Sequence, residues 1–134
     1  MLSVIYVSVA DPLVRDADIA AILTSARRNN ARDELTGALI YNGFNFMQAL
    51  EGPDEKVEAC LAIIRADARH SGMVELRRRM IETRTFAEWS MLYDPSFQGH
   101  DHDLSRLAAN GHLDQQDERL MGNFLALGRR RPAA

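Results

Sequence analysis

Residues 36–55 read TGALIYNGFNFMQALEGPDE, and this stretch decides the fold. Residues 36–41 (TGALIY) and 44–51 (FNFMQALE) carry the apolar and aromatic side chains of strands. Between them, Asn42-Gly43 is the strongest turn signal in the chain, because both residue types accept the positive φ of a tight hairpin turn. The two strands are therefore expected to form a hairpin. Gly52-Pro53-Asp54-Glu55 then reads as a helix start: proline suits the first helical position, and the acids suit the positive end of the helix dipole. Val57, Leu61 and Ile64 give this helix an apolar stripe, which predicts an end near Asp67 with Arg69 and His70 just beyond.

Outward from the hairpin, residues 2–9 are rich in Val and Ile with Tyr6 among them, and read as a buried strand that Asp11-Pro12 terminates. Asp16 can cap a helix running to about Asn29, with Ile19, Ile22, Leu23 and Ala26 on one face. On the C-terminal side, residues 74–81 read as a fourth strand and residues 86–93 contain a short fifth. The fold class is α+β, in the ferredoxin-like order β-α-β-β-α-β with an added strand and two helices on one face of the sheet. Residues 97–134 form a C-terminal extension to a domain of residues 1–96. In it, Leu104 and Leu107 suggest a short helix that Gly111 breaks. Asp114 can cap a second helix with the face Leu120, Met121, Phe124 and Leu125, stopped at Gly128 and followed by Arg129, Arg130 and Arg131. These helices are expected to cover the sheet face that the first two leave open.

The 134 residues suit one domain, and the hydrophobic share of 46% with 26% charged residues is that of an ordinary globular chain. A net charge of -3 gives no broad attraction to phosphate backbones, so no nucleic-acid partner is expected. Cys60 is the only cysteine, which fits a reducing compartment. No apolar run suits a bilayer span or a signal peptide. The expectation is a cytoplasmic protein with no membrane association.

Tyr6 and Gln48 draw the functional reading. Side chains alternate across a strand, so Val4, Tyr6 and Ser8 share one face and Phe46, Gln48 and Leu50 another. If both faces meet the helix layer, the phenol and the amide are neighbours. A buried Gln has two donors and an acceptor to satisfy, and leaving one unpaired costs about 1–3 kcal/mol. Taken singly, Gln48 is more often an edge-strand amide and Tyr6 a core aromatic. Asn29 and Asn30 offer amides suited to a heterocyclic edge, although Asn at a helix end is more often a left-handed stop.

Six segments together are more specific: Ile5-Tyr6-Val7-Ser8, Asn29-Asn30-Ala31-Arg32, Leu35-Thr36-Gly37-Ala38-Leu39, Phe46-Met47-Gln48-Ala49-Leu50-Glu51-Gly52, Asp67-Ala68-Arg69-His70 and Trp89-Ser90-Met91. In order and spacing, over residues 2–93, they resemble the BLUF family of blue-light sensors that use flavin. The resemblance implies a non-covalent flavin, usually FAD with FMN as the alternative, inserted between the two helices. It implies Tyr6 as electron and proton donor to the excited flavin and Gln48 as the bridge between them. It implies Asn30 and Asn29 along the polar ring edge, and Asp67, Arg69 and His70 toward the ribityl and phosphate end. Trp89 and Met91 match positions implicated in signalling. An excited flavin is a strong oxidant, a phenol can give an electron with a proton, and an amide between them can relay the proton and change its hydrogen-bond pattern. Two positions depart from the family: Ile63 stands where some members carry a basic or imidazole side chain, and Ala26 where a hydroxyl is common. Both weaken the grip on the flavin tail more than on the ring.

Members of this length imply a homodimer or larger homo-oligomer signalling to a downstream protein. The tail is too short for a cyclase or phosphodiesterase, so no catalytic residue and no enzymatic output are expected. The rival reading is a ferredoxin-like small-molecule-binding module or small enzyme without photochemistry. Other chemistries find less support. Asp67 and Glu51 could form a general acid/base pair, but Glu51 is expected to shape the turn at Gly52-Pro53. His70 has no second ligand at metal spacing, and His100 and His102 read as a surface loop, so no metal is expected. The sheet lacks the paired aromatics of an RNA-binding domain. Arg77, Arg78 and Arg79 are expected to project from a solvated surface, and no Gly-rich phosphate loop is present.

Overall fold

The computed structural model describes residues 1–86 and 115–130, with side chains only to Phe124 in the second segment. Strand β1 (Leu2–Ala10) leads into helix α1 (Asp16–Asp33), then β2 (Thr36–Tyr41), β3 (Asn45–Gly52), helix α2 (Asp54–Arg65), β4 (His70–Met80) and helix α3 (Gln115–Arg130). The described strands make one antiparallel sheet in the order β2-β3-β1-β4, so the outer strands of the chain's two βαβ halves flank the central pair. This is the ferredoxin-like arrangement expected from the pattern. The fifth strand, Trp89 and Met91, the short helix around Leu104 and Leu107, and His100 and His102 lie outside the described residues.

Two cores result from strand alternation. Val4, Tyr6, Phe46 and Leu50 join Ile19 and Leu23 of α1 and Val57 and Leu61 of α2. On the reverse face, Ile5, Ala38, Met47 and Ala49 join Phe86 with Met121 and Phe124 of α3. The hairpin closes as its turn signal requires: Gly43 has φ 96°, and Asn42 Oδ1 accepts from the amides of Phe44 and Asn45 at 3.0 and 2.8 Å. At Gly37 the backbones of β2 and β3 leave no space for a side chain, since an added Cβ would lie 1.9 Å from the Ala49 carbonyl oxygen.

Several local expectations change. Arg15, not Asp16, precedes the first turn of α1, and Asp18 rather than Asp16 reaches back to it, accepting from the Arg15 amide at 2.8 Å. Helix α1 continues to Asp33, past both asparagines, and ends at Glu34, a non-glycine residue at φ 61°. Asn29 and Asn30 are therefore helical residues, not the stop. Pro53 precedes α2 rather than opening it, and α2 ends at Arg65, two residues before Asp67. Strand β4 begins at His70, four residues earlier than expected, because antiparallel pairing with β1 extends to Ala10↔His70. The backbone of α3 runs through Gly128 to Arg130.

Arg77 is the largest departure. It pairs with Ile5 on the reverse face, and α3 covers it there. Its Nε and Nη2 donate to Asp117 Oδ1 and Oδ2 at 2.7 and 3.0 Å, and Nη2 also reaches Ser3 Oγ at 3.2 Å. The two side chains are 7% and 3% exposed, so this is a buried bidentate pair, not a solvated charge. Arg78 does face outward, between Glu58 and Glu75.

Candidate functional site

A cavity of about 200 Å³ lies between α1 and α2, above the face of the sheet that carries Tyr6 and Gln48. Its floor is a row set by strand register: Leu39 of β2 stands opposite Gln48 of β3, which stands opposite Tyr6 of β1. Phe46 extends the floor by one alternation. The α1 wall consists of Ile22, Ala26, Asn29 and Asn30, which helical spacing stacks on one stripe. Continuing α1 past the asparagines is what turns both toward the cavity. Cys60, Ile63 and Ile64 form the α2 wall.

The Tyr6 hydroxyl donates to Oε1 of Gln48, joining the phenol and amide that face each other in the register. Tyr6 is 3% exposed and Gln48 7%. Burial, with smaller contributions from Cys60 and Asp67, pushes the Tyr6 phenol well above its ordinary value, so the proton stays on Tyr6 in the resting protein. Burial likewise pushes the Cys60 thiol up to about 11, aided by Asp33, and keeps it protonated.

The rim carries the charges. Arg69 donates to Asp67 through Nε at 2.9 Å and Nη2 at 2.5 Å, and this pairing holds the Asp67 carboxyl below its usual range. Arg32 is bonded in the same way to Asp33, at 3.0 Å through Nε and through Nη2. His70 closes the cavity at the start of β4. Its Nε2 lies 2.5 Å from the Ile64 carbonyl, and its ring is 6.4 Å from that of Tyr6. Ile63 is 73% exposed at the mouth.

All the ring-end and tail-end residues expected from the sequence, namely Tyr6, Gln48, Asn29, Asn30, Asp67, Arg69 and His70, line this one cavity. Sequence reasoning missed Cys60 and Arg32. Cys60 is signalled by its spacing, three and four residues before Ile63 and Ile64, and Arg32 by its place three residues after Asn29. Glu51 does not shape the turn. It is 1% exposed on the reverse face, where its carboxylate accepts from Thr36, Thr85 and Phe86. It therefore forms no acid/base pair with Asp67. Among the described residues no cluster of side chains could hold a metal ion, and no helix is long and apolar enough to cross a membrane.

The cavity suits a flat heterocycle with one polar edge. Aliphatic side chains of α1 and α2 would meet its two faces, and the phenol and three amides in the lining supply polar partners for its edge. Comparison with known proteins agrees. Residues 1–92 match the family model described as BLUF, sensors of blue-light using FAD. The chain is 36% identical over 87 residues to a photoactivated adenylate cyclase subunit beta of Euglena longa, covering 64% of this chain and 10% of that protein. It is 34% identical over 94 residues to the blue light- and temperature-regulated antirepressor BluF of Escherichia coli K12, covering 69% and 23%. The chain thus spans under a quarter of either relative. A solved BlrP1 BLUF structure superposes with a TM-score of 0.80 at 31% identity, covering 96% of this chain and 92% of that one. These matches do not favour the rival reading without photochemistry; the chain belongs to the BLUF family of flavin-binding blue-light sensors.

Proposed function

We propose that blue light acts in this chain through Tyr6 and Gln48, and that the carrying observation is the hydrogen bond between them at the floor of the cavity. When bound and excited, the flavin supplies a strong oxidant beside this pair. Tyr6 gives up an electron and releases its hydroxyl proton toward the Gln48 oxygen that already accepts it. Electron and proton both return to Tyr6, the Gln48 amide is left in a new hydrogen-bond pattern, and its reversal in darkness restores the first one. Asn30 and Asn29 hold the polar ring edge. Asp67, Arg69 and His70 line the ribityl side.

The tail-end chemistry supports loose selection among flavins. Arg32 and Arg69 each spend a bidentate contact on an adjacent carboxylate, and Ile63 offers no charge. FAD is the proposed resident flavin, with FMN accepted in its place. We further assign residues 1–96 to the sensor and residues 97–134 to an extension that carries the signal. Packing of Met121 and Phe124 on the reverse of the sheet supports this division. Output passes to a downstream protein whose affinity differs between the lit and dark states. The proposed setting is cytoplasmic, and the proposed assembly is a homodimer or larger homo-oligomer, with Trp89 and Met91 in the signalling segment.

Absorption spectroscopy tests the core of this reading. Purified protein is expected to be yellow, to shift its flavin band to slightly longer wavelength under blue light, and to recover in darkness. Colourless protein that takes up no added flavin would overturn it.

A further inference from the structure

The Glu51 carboxylate lies at the end of β3, on the face turned away from the cavity, and is among the most deeply buried groups in the sheet. Its Oε1 accepts from the Thr36 hydroxyl at 2.8 Å and the Phe86 amide at 2.6 Å, and its Oε2 accepts from the Thr85 amide at 2.9 Å. Arg84 clasps the same point from outside. Its Nη1 donates to Thr36 Oγ1 at 2.9 Å and to the Glu51 carbonyl at 3.2 Å, and its Nη2 donates to the Glu34 carbonyl at 2.7 Å.

A carboxylate removed from water is costly unless donors fill its lone pairs. Here two of the three donors are backbone amides of the chain just after β4. The Ile81 amide still donates to the Met1 carbonyl, beside the β4 edge of the sheet. By Arg84 the chain has crossed the end of the sheet to the first residues of β2. Phe86 then joins the reverse-face core that also holds Met47 and Ala49, the two neighbours of Gln48 in β3. The stretch that leads on to Trp89 and Met91 is thus tied twice to the strand bearing Gln48: by hydrogen bonds to Glu51 and by a shared apolar core on the reverse face.

Building on the flavin-sensor reading above, we propose that Glu51 is the positioning residue that couples rearrangement at Gln48 to the segment bearing Trp89 and Met91. Side chains at positions 48 and 51 lie on opposite faces of one strand. A shift of β3 that follows a new hydrogen-bond pattern at Gln48 therefore carries the Glu51 carboxylate, and the two amides it holds, with it. Glu51 touches neither the cavity nor Tyr6, so its loss leaves the photochemical pair in place.

Glu51→Gln separates the two steps. The amide retains size and one acceptor oxygen, but turns an NH2 toward the Thr85 N–H, and the two donors repel. Trp89 is the only tryptophan, so its emission reports on the segment directly. Wild-type protein is expected to show both the flavin shift and a light-induced change in Trp89 emission. Glu51→Gln is expected to keep the flavin shift and lose the Trp89 response. Retention of both by Glu51→Gln, or a wild-type flavin shift with no Trp89 response, overturns the coupling while leaving the sensor reading intact; absence of the flavin shift in wild-type protein sinks both. Arg84→Met removes the outer clasp at a half-buried position and gives the same comparison if Glu51→Gln does not fold.

Discussion

On one face of the sheet, Tyr6 and Gln48 meet beneath a cavity of about 200 Å³; on the other, Arg77 and Asp117 meet beneath α3 with their side chains 7% and 3% exposed. Both are buried polar pairs reaching across elements, yet they suit different tasks. The Tyr6–Gln48 pair is neutral, and the amide can exchange hydrogen-bond partners without leaving a bare charge in the interior. The Arg77–Asp117 pair is ionic and bidentate, and moving either member exposes a full charge to a low dielectric. A neutral pair beside a cavity can rearrange, whereas an ionic pair under a helix is a fixed point. The sheet therefore has a reactive face and an anchored face, with the alternation of β1 and β3 side chains as the only partition between them.

The largest expected effect breaks the reactive face. Tyr6→Phe removes the hydroxyl that donates to Gln48, and Gln48→Leu removes the acceptor at similar volume. Each variant is expected to stay yellow, because the α1 and α2 walls are unchanged, and to lose the light-induced shift entirely. Light-minus-dark difference spectra check this. An undiminished shift in either variant would refute the assigned roles.

On the anchored face, removing Arg77 strips buried Asp117 of its bidentate partner and leaves it only the 3.5 Å contact from Arg79 Nη2. Arg77→Ala is expected to destabilise the fold by about 3–5 kcal/mol. The double replacement Arg77→Met with Asp117→Leu substitutes apolar bulk for both charges and is expected to recover most of that loss. Urea denaturation of the single and double variants measures the difference. If Arg77→Ala costs no more than a surface substitution, the pair is not the anchor its burial indicates.

The two faces were also unequally legible in the sequence. The cavity face could be assembled from residues 2–70 because its parts obey short-range rules: a hairpin turn at Asn42-Gly43 fixes Gln48 against Leu39, and alternation brings Tyr6 to the same side. The resemblance then supplied roles that spacing alone could not. Arg77 departs from the expectation because three consecutive arginines alternate across a strand, and pattern alone cannot say that a helix 40 residues later offers Asp117 to the two on its face, Arg77 and Arg79. Glu51 was misjudged for the same reason, since its donors at Thr85 and Phe86 lie beyond the next helix and strand. The end of α1 escaped because Asn30 reads locally as a stop, whereas Glu34 takes the left-handed position and its amide bonds back to the Asn30 carbonyl. Long-range partners decide buried charges, and a single sequence does not name them.

A smaller effect comes from pH on the cavity side. Burial raises the folded-state pKa of the Cys60 thiol from 9.0 to about 11, and it raises Tyr6 in the same direction. A raised folded pKa means that the folded state holds its proton more tightly than the unfolded chain. Its contribution is therefore complete below pH 9 and is lost as pH rises from about 9 through about 11. The loss from Cys60 is about 2–3 kcal/mol at most. Denaturation midpoints of the flavin-free protein should be level from pH 7 to pH 9 and then decline. Cys60→Ala should flatten the early part of that decline, and an unchanged slope would remove Cys60 as its source.

The smallest expected effect adds to the cavity mouth a charge that it lacks. Ile63 is 73% exposed between rim charges that already pair with one another, Arg69 with Asp67 and Arg32 with Asp33. A guanidinium introduced by Ile63→Arg finds the rim carboxylates Asp33 and Asp67 already held by Arg32 and Arg69. It can therefore meet a flavin phosphate instead. An exposed ion pair of this kind contributes about 0.2–1 kcal/mol, which is a gain of about 1.4- to 5-fold in affinity. The gain should appear for FAD and FMN, be absent for riboflavin, and fade as salt screens the rim. Titration of flavin-free protein with the three flavins at low and high salt reads it out. Equal strengthening of all three would mean that position 63 meets the ring and not the tail. The reactive face would then extend further toward solvent than the Tyr6–Gln48 floor implies.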